Sequence, residues 1–557
     1  MKGQILFTVG VIFCCFFSCG KKDDAAPPPV VVPQPLTVNA VSLNDAALGD
    51  IQYGAPVTPS IKLQFSVALL KSSAAAAVSL VDAGTGSTVA VTNSFQNGDS
   101  VLLVQPTTAL KYLTKYIFTV STALSSTDKL TLTTAVSKVL ITQLDSSRKF
   151  ALLSENDLLD KIQQQTFKYF WDFGHPVSGL ARERNTSGET ITSGGSGFGI
   201  MAIVAAVNRN FITRAQGLAR MQTITGFLKN TAQKFHGAFP HWLNGSTGVV
   251  IPFSTKDNGA DLVETSYLMQ GLLCARQYFS GADAAETALR NDINTLWNGV
   301  EWDWFRQNNQ NVLYWHWSPN YNWDMNLPIK GWNECLITYV LAASSGTHNI
   351  PKIVYDNGWA SNGSMANGAP YYGYTLPLGP PQGGPLFFDQ YSFLGINPNG
   401  LTDAYANYST QTKNHTLINY TYCKTNPLGN YGYSDSCWGL TASDIQNGYT
   451  ASSPTNDAGV IAPTAAISSL PYTPAESIKA LKFFYYVLGD KLWKEYGFVD
   501  AFSLKDTWFA TSFLAIDQGP QIIMIENYRS GLLWNLFTSC PEVKTGMKAL
   551  GFTAPYL

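Results

Sequence analysis

Charge is scarce in this chain. Only 13% of its 557 residues are Asp, Glu, Lys or Arg, about half the share usual for a soluble protein. The 36 Lys and Arg nearly balance the 38 Asp and Glu, for a net charge of -2. No basic stripe is dense enough to neutralise a phosphate backbone, which excludes nucleic acid as a partner. Histidine is equally sparse, with 6 scattered residues and no Cys/His spacing of the kind that holds zinc. Neither a metal nor a cofactor is therefore expected. No apolar run reaches the length needed to cross a bilayer. What remains is apolar and aromatic, at 45% and 13% respectively. That is ample for a large core and rules out intrinsic disorder. An uncharged, aromatic-rich surface suits neutral ligands with many hydroxyls, because a sugar ring offers C–H faces to aromatic platforms and hydroxyls to uncharged partners.

The N-terminus reads as an export signal over residues 1–18: Lys2, an apolar run from Ile5 to Phe17, then small Ser18 before Cys19. Phe17-Ser18-Cys19 resembles a lipobox, in which Cys19 is lipidated after cleavage. Residues 19–35 then form a lipidated Cys and Pro-rich linker, AAPPPVVVPQP from Ala25 to Pro35, extended and semi-rigid. Lys22-Asp23-Asp24 resembles the tag that sends some lipoproteins outward. The expected location is an outer-membrane lipid anchor on the periplasmic or cell-surface side, with the membrane touched only through that lipid and the protein acting as a monomer. Cys274 and Cys335 lie in apolar runs and read as small buried hydrophobes. Cys423 and Cys437 bracket a Gly/Asn/Tyr-rich loop and could pair in an oxidising compartment.

From 36 to 145 the pattern is short alternating runs of Val, Thr, Ile and Leu: Ile61 to Val67, Ala77 to Val81, Val101 to Val104, Tyr116 to Val120 and Lys129 to Thr133. Turns such as Asn97-Gly98-Asp99 separate them. This predicts a small all-β sandwich similar to a bacterial immunoglobulin-like domain. Near 150 the period changes. Apolar runs at helical spacing recur near 155–172, 197–208, 213–230, 260–279, 283–297, 333–344, 386–394, 402–409, 474–488, 507–517 and 520–538. So many helices joined by long aromatic loops exceed a four-helix bundle and predict an all-α domain over 150–557, an (α/α)6 barrel whose inner helix ends form one pocket.

The acids fall at helix starts. Asp257, Asp261 and Glu264 are spaced to share one helix face, Glu334 opens a helix after Trp332-Asn333, and Asp517 precedes Pro520, which reads as a first helical residue. Acids in a first turn also serve the helix dipole, but three such placements in a chain so poor in charge point to chemistry. Six of the 14 Trp lie between Trp302 and Trp332, with spacings such as Trp315-His-Trp317 that suit an extended loop. Indole beside Glu334 can both stack on sugars and raise a carboxyl pKa, the combination a glycosidase needs.

Asp261-Leu-Val-Glu264-Thr-Ser-Tyr, Gly331-Trp-Asn-Glu334-Cys, Gly497-Phe-Val-Asp500-Ala-Phe and, above all, Ile516-Asp-Gln-Gly-Pro520 leading to Met524-Ile-Glu-Asn-Tyr-Arg-Ser-Gly531 resemble the glycoamylase-like domain, and within it the endo-β-1,2-glucanases of glycoside hydrolase family 144. The resemblance covers about 155–550. It implies an (α/α)6 barrel, no metal, and hydrolysis of a neutral β-glucan with inversion. Carried over by position, Glu334 is the general acid, Asp261 or alternatively Asp517 the base, and Glu264 and Asp257 match functional acids. Trp242, His241, Trp332, Trp315, Arg182, Gln518 and Arg529 are candidate sugar ligands. His241 could equally be a structural histidine, and Arg529 could pair with Glu526 within its helix. Two other classes stay open: a non-catalytic glycan-binding lipoprotein, and a polysaccharide lyase, which would need a basic groove this sequence lacks.

Overall fold

The alternating runs of the N-terminal segment pair as strands in the computed structural model, which describes Cys15 and residues 33–557. The proposed signal, Cys19 and most of the Pro-rich linker lie outside the described residues. By its internal contacts the chain separates into two compact units. The N-terminal segment, most of which lies in the first unit, is all-β apart from one short helix, Lys71–Ala77. Its strands are β1 (Val38–Leu43), β2 (Ala46–Ala47), β3 (Ile51–Ala55), β4 (Ile61–Phe65), β5 (Val78–Asp82), β6 (Val91–Gln96), β7 (Val101–Pro106), β8 (Lys115–Val120) and β9 (Val136–Thr142). They form two sheets, ordered β2-β1-β4-β7-β6 and β3-β9-β8-β5. Alternation decides which side chains enter the core: Ile61, Leu63 and Phe65 from β4, and Tyr116, Phe118 and Val120 from β8, are buried. The β6–β7 hairpin closes through Asn97, Gly98 and Asp99, all at positive φ, which these residue types tolerate. The expected strand at Lys129–Thr133 is instead a turn with isolated bridges.

The second unit is helical and layered. Four helices, Ser193–Asn208, Leu262–Tyr278, Leu336–Ser344 and Ala515–Ser530, are buried over most of their length, as their near-continuous apolar and small residues dictate. Packing between them runs in a closed cycle. Ser193–Asn208 packs on Leu262–Tyr278, that helix on Leu336–Ser344, and the last on the 3₁₀ turn Ser392–Leu394. Gln390 next to this turn donates to the carbonyl of Ala465, in the short helix Pro463–Ile467. That helix packs on Ala515–Ser530, which returns to Ser193–Asn208. Amphipathic helices cover the outside: Glu155–Trp171 on Ala515–Ser530, Pro541–Leu550 on Leu336–Ser344, and the adjacent pair Arg214–Asn230 and Ala284–Asn298. Their starts carry the expected caps: Ser154 and Asp283 accept from first-turn amides, and Thr213 with Gln216 forms a capping box.

The structure departs from the sequence reading at several places. The run at 386–394 forms two 3₁₀ turns, and the helix expected at 402–409 is Tyr408–Thr425, a Thr/Asn/Tyr-rich segment whose polar residues hide its periodicity. The aromatic run at 507–517 starts as the strand Trp508–Phe509, paired with Phe502–Ser503. Pro520 is inside the Ala515–Ser530 helix and not its first residue, so Asp517 occupies that helix's first turn. Cys423 and Cys437 are buried free thiols. No described helix is long and apolar enough to cross a membrane.

Two central helices touch backbone to backbone. A Cβ on Gly197 would stand 2.1 Å from the Tyr267 carbonyl oxygen, and one on Gly271 would stand 2.2 Å from that of Gly197. By contrast, a Cβ on Gly226, in an outer helix, meets nothing within 4 Å. Gly197→Ala should therefore destabilise the unit by on the order of 1–3 kcal/mol or more through overpacking. Gly226→Ala should stabilise it by about 0.5–1 kcal/mol through helix propensity. Thermal melts of both variants check the contrast; equal shifts would contradict the close crossing.

Candidate active site

Small antiparallel pairings at the helix starts deliver the polar groups. In one, Thr192, the N-cap of Ser193–Asn208, pairs with Trp242. In another, Asp261, the N-cap of Leu262–Tyr278, pairs with His316. Glu334 sits two residues before the Leu336–Ser344 helix, and Leu514 caps Ala515–Ser530. Four helix N-termini thus face one region, where their exposed amides favour negative charge. There they border a cavity of about 490 Å³ lined by Thr192, Glu264, Glu334, His241, Glu183 and Arg184, with Leu514 and Ile516. Aromatic walls come from Trp242, Phe253, Tyr267, Trp315, Phe387, Tyr391 and Tyr449. Phe253 stacks on His241 with ring centroids 4.3 Å apart.

The acids occupy different electrostatic settings. Glu334 has its pKa pushed up to about 7, first by burial and then by the charges of Glu264 and Asp261. Its backbone carbonyl accepts from Ser392 Oγ and, at 3.4 Å, from Tyr267, which fixes the turn that presents the carboxyl. Glu264 reaches across to the neighbouring helix, where its Oε2 accepts from the Gly194 amide at 2.7 Å and from Thr192 Oγ1 at 3.3 Å. A Cβ at position 194 would lie 2.5 Å from that same oxygen, so only glycine admits the contact. Burial and the Asp261 charge nonetheless raise the Glu264 pKa.

Asp261 is fully buried and does not line the cavity. One oxygen accepts from the Glu264 amide at 2.9 Å, and the other lies 3.1 Å from His241 Nδ1. Although burial opposes ionisation, His241 and His316 hold its pKa below the usual carboxylate range. Burial likewise opposes a charge on His241, but Glu264, Asp261 and Asp257 outweigh it and push its pKa up to about 9. His241 is thus a cation at the cavity wall. Asp257 lies in the loop ahead of the helix and not on its face as spacing suggested; its Oδ1 is 3.5 Å from His316 Nδ1. Ligand atoms of His241, Asp257 and Asp261 lie within 4.8 Å of one another, close enough to hold a small cation, but the His241 charge disfavours one.

A second acidic group stands behind the wall near Tyr449. Asp517 and Asp500 are buried and paired. Burial pushes Asp500 up to about 6, and burial together with Asp500 raises Asp517 well above the usual carboxylate range, so the pair resists losing both protons. Asp500 accepts from the Asp444 amide at 2.6 Å, and the Asp444 carboxylate is held by Ser512 and by Arg184, at 2.5 and 3.3 Å.

Of the residues singled out from sequence, Glu334, Glu264, His241, Trp242 and Trp315 meet at the cavity. Asp261 and Asp257 stand directly behind it. Trp332 does not reach it: it is 5% exposed and packs on Trp359, Phe393 and Tyr408, because the turn bringing Glu334 outward sends the indole inward. Arg182 is spent on the carbonyls of Gly188 and Phe173, and Arg184 takes its place at the cavity. Gln518 is buried, donating to the Phe498 carbonyl. Arg529 pairs with Asp160 and Gln163 on an outer helix, while Glu526 pairs with Arg209. Sequence reasoning missed Tyr391, Tyr449, Asp444, Arg184 and the role of Gly194; Asp500 stood inside a quoted motif and could have been found there.

A protein-family model described as "Putative glucoamylase" matches residues 326–541, and one for a bacterial Ig-like domain matches 33–140. An exo β-1,2-glucooligosaccharide sophorohydrolase of Parabacteroides distasonis is 46% identical over 421 residues, 72% of this chain; the chain spans 58% of that relative's length. The endo-β-1,2-glucanase of Chitinophaga pinensis, solved with sophorotriose and glucose, is 51% identical, with a TM-score of 0.71, over 73% of this chain and 100% of its own. A β-1,2-glucanase structure from Parabacteroides distasonis is 37% identical, with a TM-score of 0.70, over 95% of this chain and 74% of its own. With helices, cavity and quoted motifs in the matched region, the chain belongs to the glycoamylase-like family, whose members similar to it include β-1,2-glucan hydrolases, and it carries a bacterial Ig-like domain ahead of that region.

Proposed function

We propose that this protein is a β-1,2-glucan hydrolase of the endo type, acting with inversion through an (α/α)6 barrel whose inner ring is the closed cycle of helices and turns around the cavity. The observation that carries the reading is Glu334: a carboxyl at an aromatic cavity wall with its pKa pushed up to about 7, high enough to hold a proton in mildly acid solution and give it to a departing glycosidic oxygen. Glu264 and His241 beside it form an anchored ion pair suited to gripping sugar hydroxyls, and Trp242, Trp315 and Phe253 supply stacking faces.

The base is assigned to the Asp500–Asp517 pair. Both oxygens of Asp261 are already used, which makes it the group that orients and charges His241. Asp517, the member whose pKa is raised further, lies behind Tyr449 and Tyr391, and Asp500 is the member that ionises first. A water in the cavity would pass its proton through an intervening hydroxyl to the ionised member of the pair. Lipid attachment through Cys19 would hold this activity at the outer membrane, as a monomer.

Glu334→Gln removes the transferable proton while keeping size, so glucan binding should persist and turnover should fall by on the order of 10²–10⁴. Asp517→Asn should cost a similar factor, whereas Asp261→Asn should act chiefly by lowering the His241 pKa. Near-normal turnover in Glu334→Gln, measured beside calorimetric binding of a β-1,2-linked oligosaccharide, would overturn the assignment.

The sign of the pH dependence follows from the same carboxyl. Glu334 acts protonated, so kcat/KM should decline as pH rises through about 7, while His241 stays charged to about 9. The profile on β-1,2-glucan, with reducing ends as the readout, should lose its limb near pH 7 in Glu334→Gln; a flat profile to pH 9 in the unaltered protein would contradict the acid role.

For the anchor, Cys19→Ala should shift the protein from the membrane fraction to the soluble one in detergent partitioning. Retention at the membrane would rule the anchor out.

A further inference from the structure

A second cavity, of about 600 Å³, adjoins the catalytic one and shares Arg184 and Tyr449 with it. Nothing in the mechanism above uses its far side. There the Phe502–Ser503/Trp508–Phe509 hairpin presents two half-buried aromatic rings, opposite the hydroxyl of exposed Thr186. Thr507, in the turn immediately before Trp508, is held at a φ of 52°, a left-handed conformation costly for a β-branched residue. Strain of this kind persists where the surroundings impose it, commonly at binding sites.

Arg184 in this second cavity is already shared between two carboxylates, donating to Glu183 at 3.0 Å. It also donates to the Asp444 carboxylate at 3.3 Å, and Ser512 donates to the same carboxylate at 2.5 Å. Such a site has no spare cation for a uronate or phosphate. It does offer aromatic faces, hydroxyls and a fixed carboxylate with further lone pairs, the lining that suits a neutral sugar. Tyr449, 46% exposed, stands at the boundary shared by the two cavities, where one ring can border sugars on either side.

We propose that the second cavity binds further glucosyl residues of the same neutral β-glucan chain whose scissile bond lies in the catalytic cavity. The inference rests on the hydrolase reading above and deepens it. A chain that continues past Tyr449 to Trp508 is held over more units on that side of the scissile bond, so this cavity favours polymer over short oligosaccharides.

The test compares kcat/KM on polymeric β-1,2-glucan with that on the shortest β-1,2-linked oligosaccharide cleaved, in the unaltered protein, Trp508→Ala, Trp508→Phe and Thr186→Trp, the last placing a bulky ring from an exposed loop into the cavity. The polymer-to-oligosaccharide ratio should fall about tenfold or more in Trp508→Ala and Thr186→Trp, the loss of one good stacking contact being on this scale, and Trp508→Phe should recover most of it. Unchanged ratios in both Trp508→Ala and Thr186→Trp overturn the proposal. Calorimetry adds a readout independent of turnover. Polymer should bind the Glu334→Gln, Trp508→Ala double variant about tenfold more weakly than Glu334→Gln alone, and equal affinity counts against the second cavity. If the unaltered protein cleaves neither substrate while polymer binding still depends on Trp508, the hydrolase reading fails and the sugar site stands.

Discussion

The close approach of two buried helices, Ser193–Asn208 and Leu262–Tyr278, sets the geometry on which the site depends. Where Gly197 meets Gly271 the backbones touch, and no side chain larger than hydrogen fits on either strip. That contact brings the first turn of one helix beside the first turn of the other, so the Gly194 amide can hold the Glu264 carboxylate. Glu264 then positions itself against His241, whose charge Asp261 maintains from beneath. A wider crossing would leave a buried carboxylate without its donor, a state costing far more than the packing lost.

Electrostatics in the cavity follow from helix ends meeting aromatic walls. Helix N-termini stabilise nearby negative charge, while removal of water raises every carboxyl pKa. The balance differs group by group. Asp261, with two histidines beside it, stays ionised. Glu334, buried and beside the charges of Glu264 and Asp261, is pushed up to about 7. Asp500 and Asp517, facing each other, resist losing both protons. One fold thereby holds an acid, a permanent anion and a proton-retaining pair within a small volume, the separation of roles that glycoside chemistry uses.

Much of this was legible in the chain. Alternation marked the β-rich segment, helical periodicity marked the long buried helices, and the acids that flank helix starts were picked out by residue type. The misreadings share a cause. The Tyr408–Thr425 helix carries Thr and Asn where a periodic helix would carry Leu, because its buried polar groups, such as Asn419 bonded to Leu440, are satisfied by distant loops. The 507–517 stretch reads as apolar and helical until Trp508–Phe509 pairs with Phe502–Ser503. Trp332 and Glu334 stand two residues apart in one motif, yet one faces the core and the other the cavity, since the turn there sends their side chains in different directions.

The sequence by itself determined the two classes of architecture, the low-charge aromatic chemistry and the identity of the acids, because these depend on local periodicity and residue type. Only the tertiary structure decided which groups act together. Glu264 and Gly194 are 70 residues apart and Arg184 and Asp444 are 260 apart. Whether a carboxyl is an acid, a base or a support depends on the donors, charges and water that such distant segments bring to it or exclude. A linear pattern holds no record of that distance; the folded chain sets it through backbone contacts as close as those of Gly197 with Gly271.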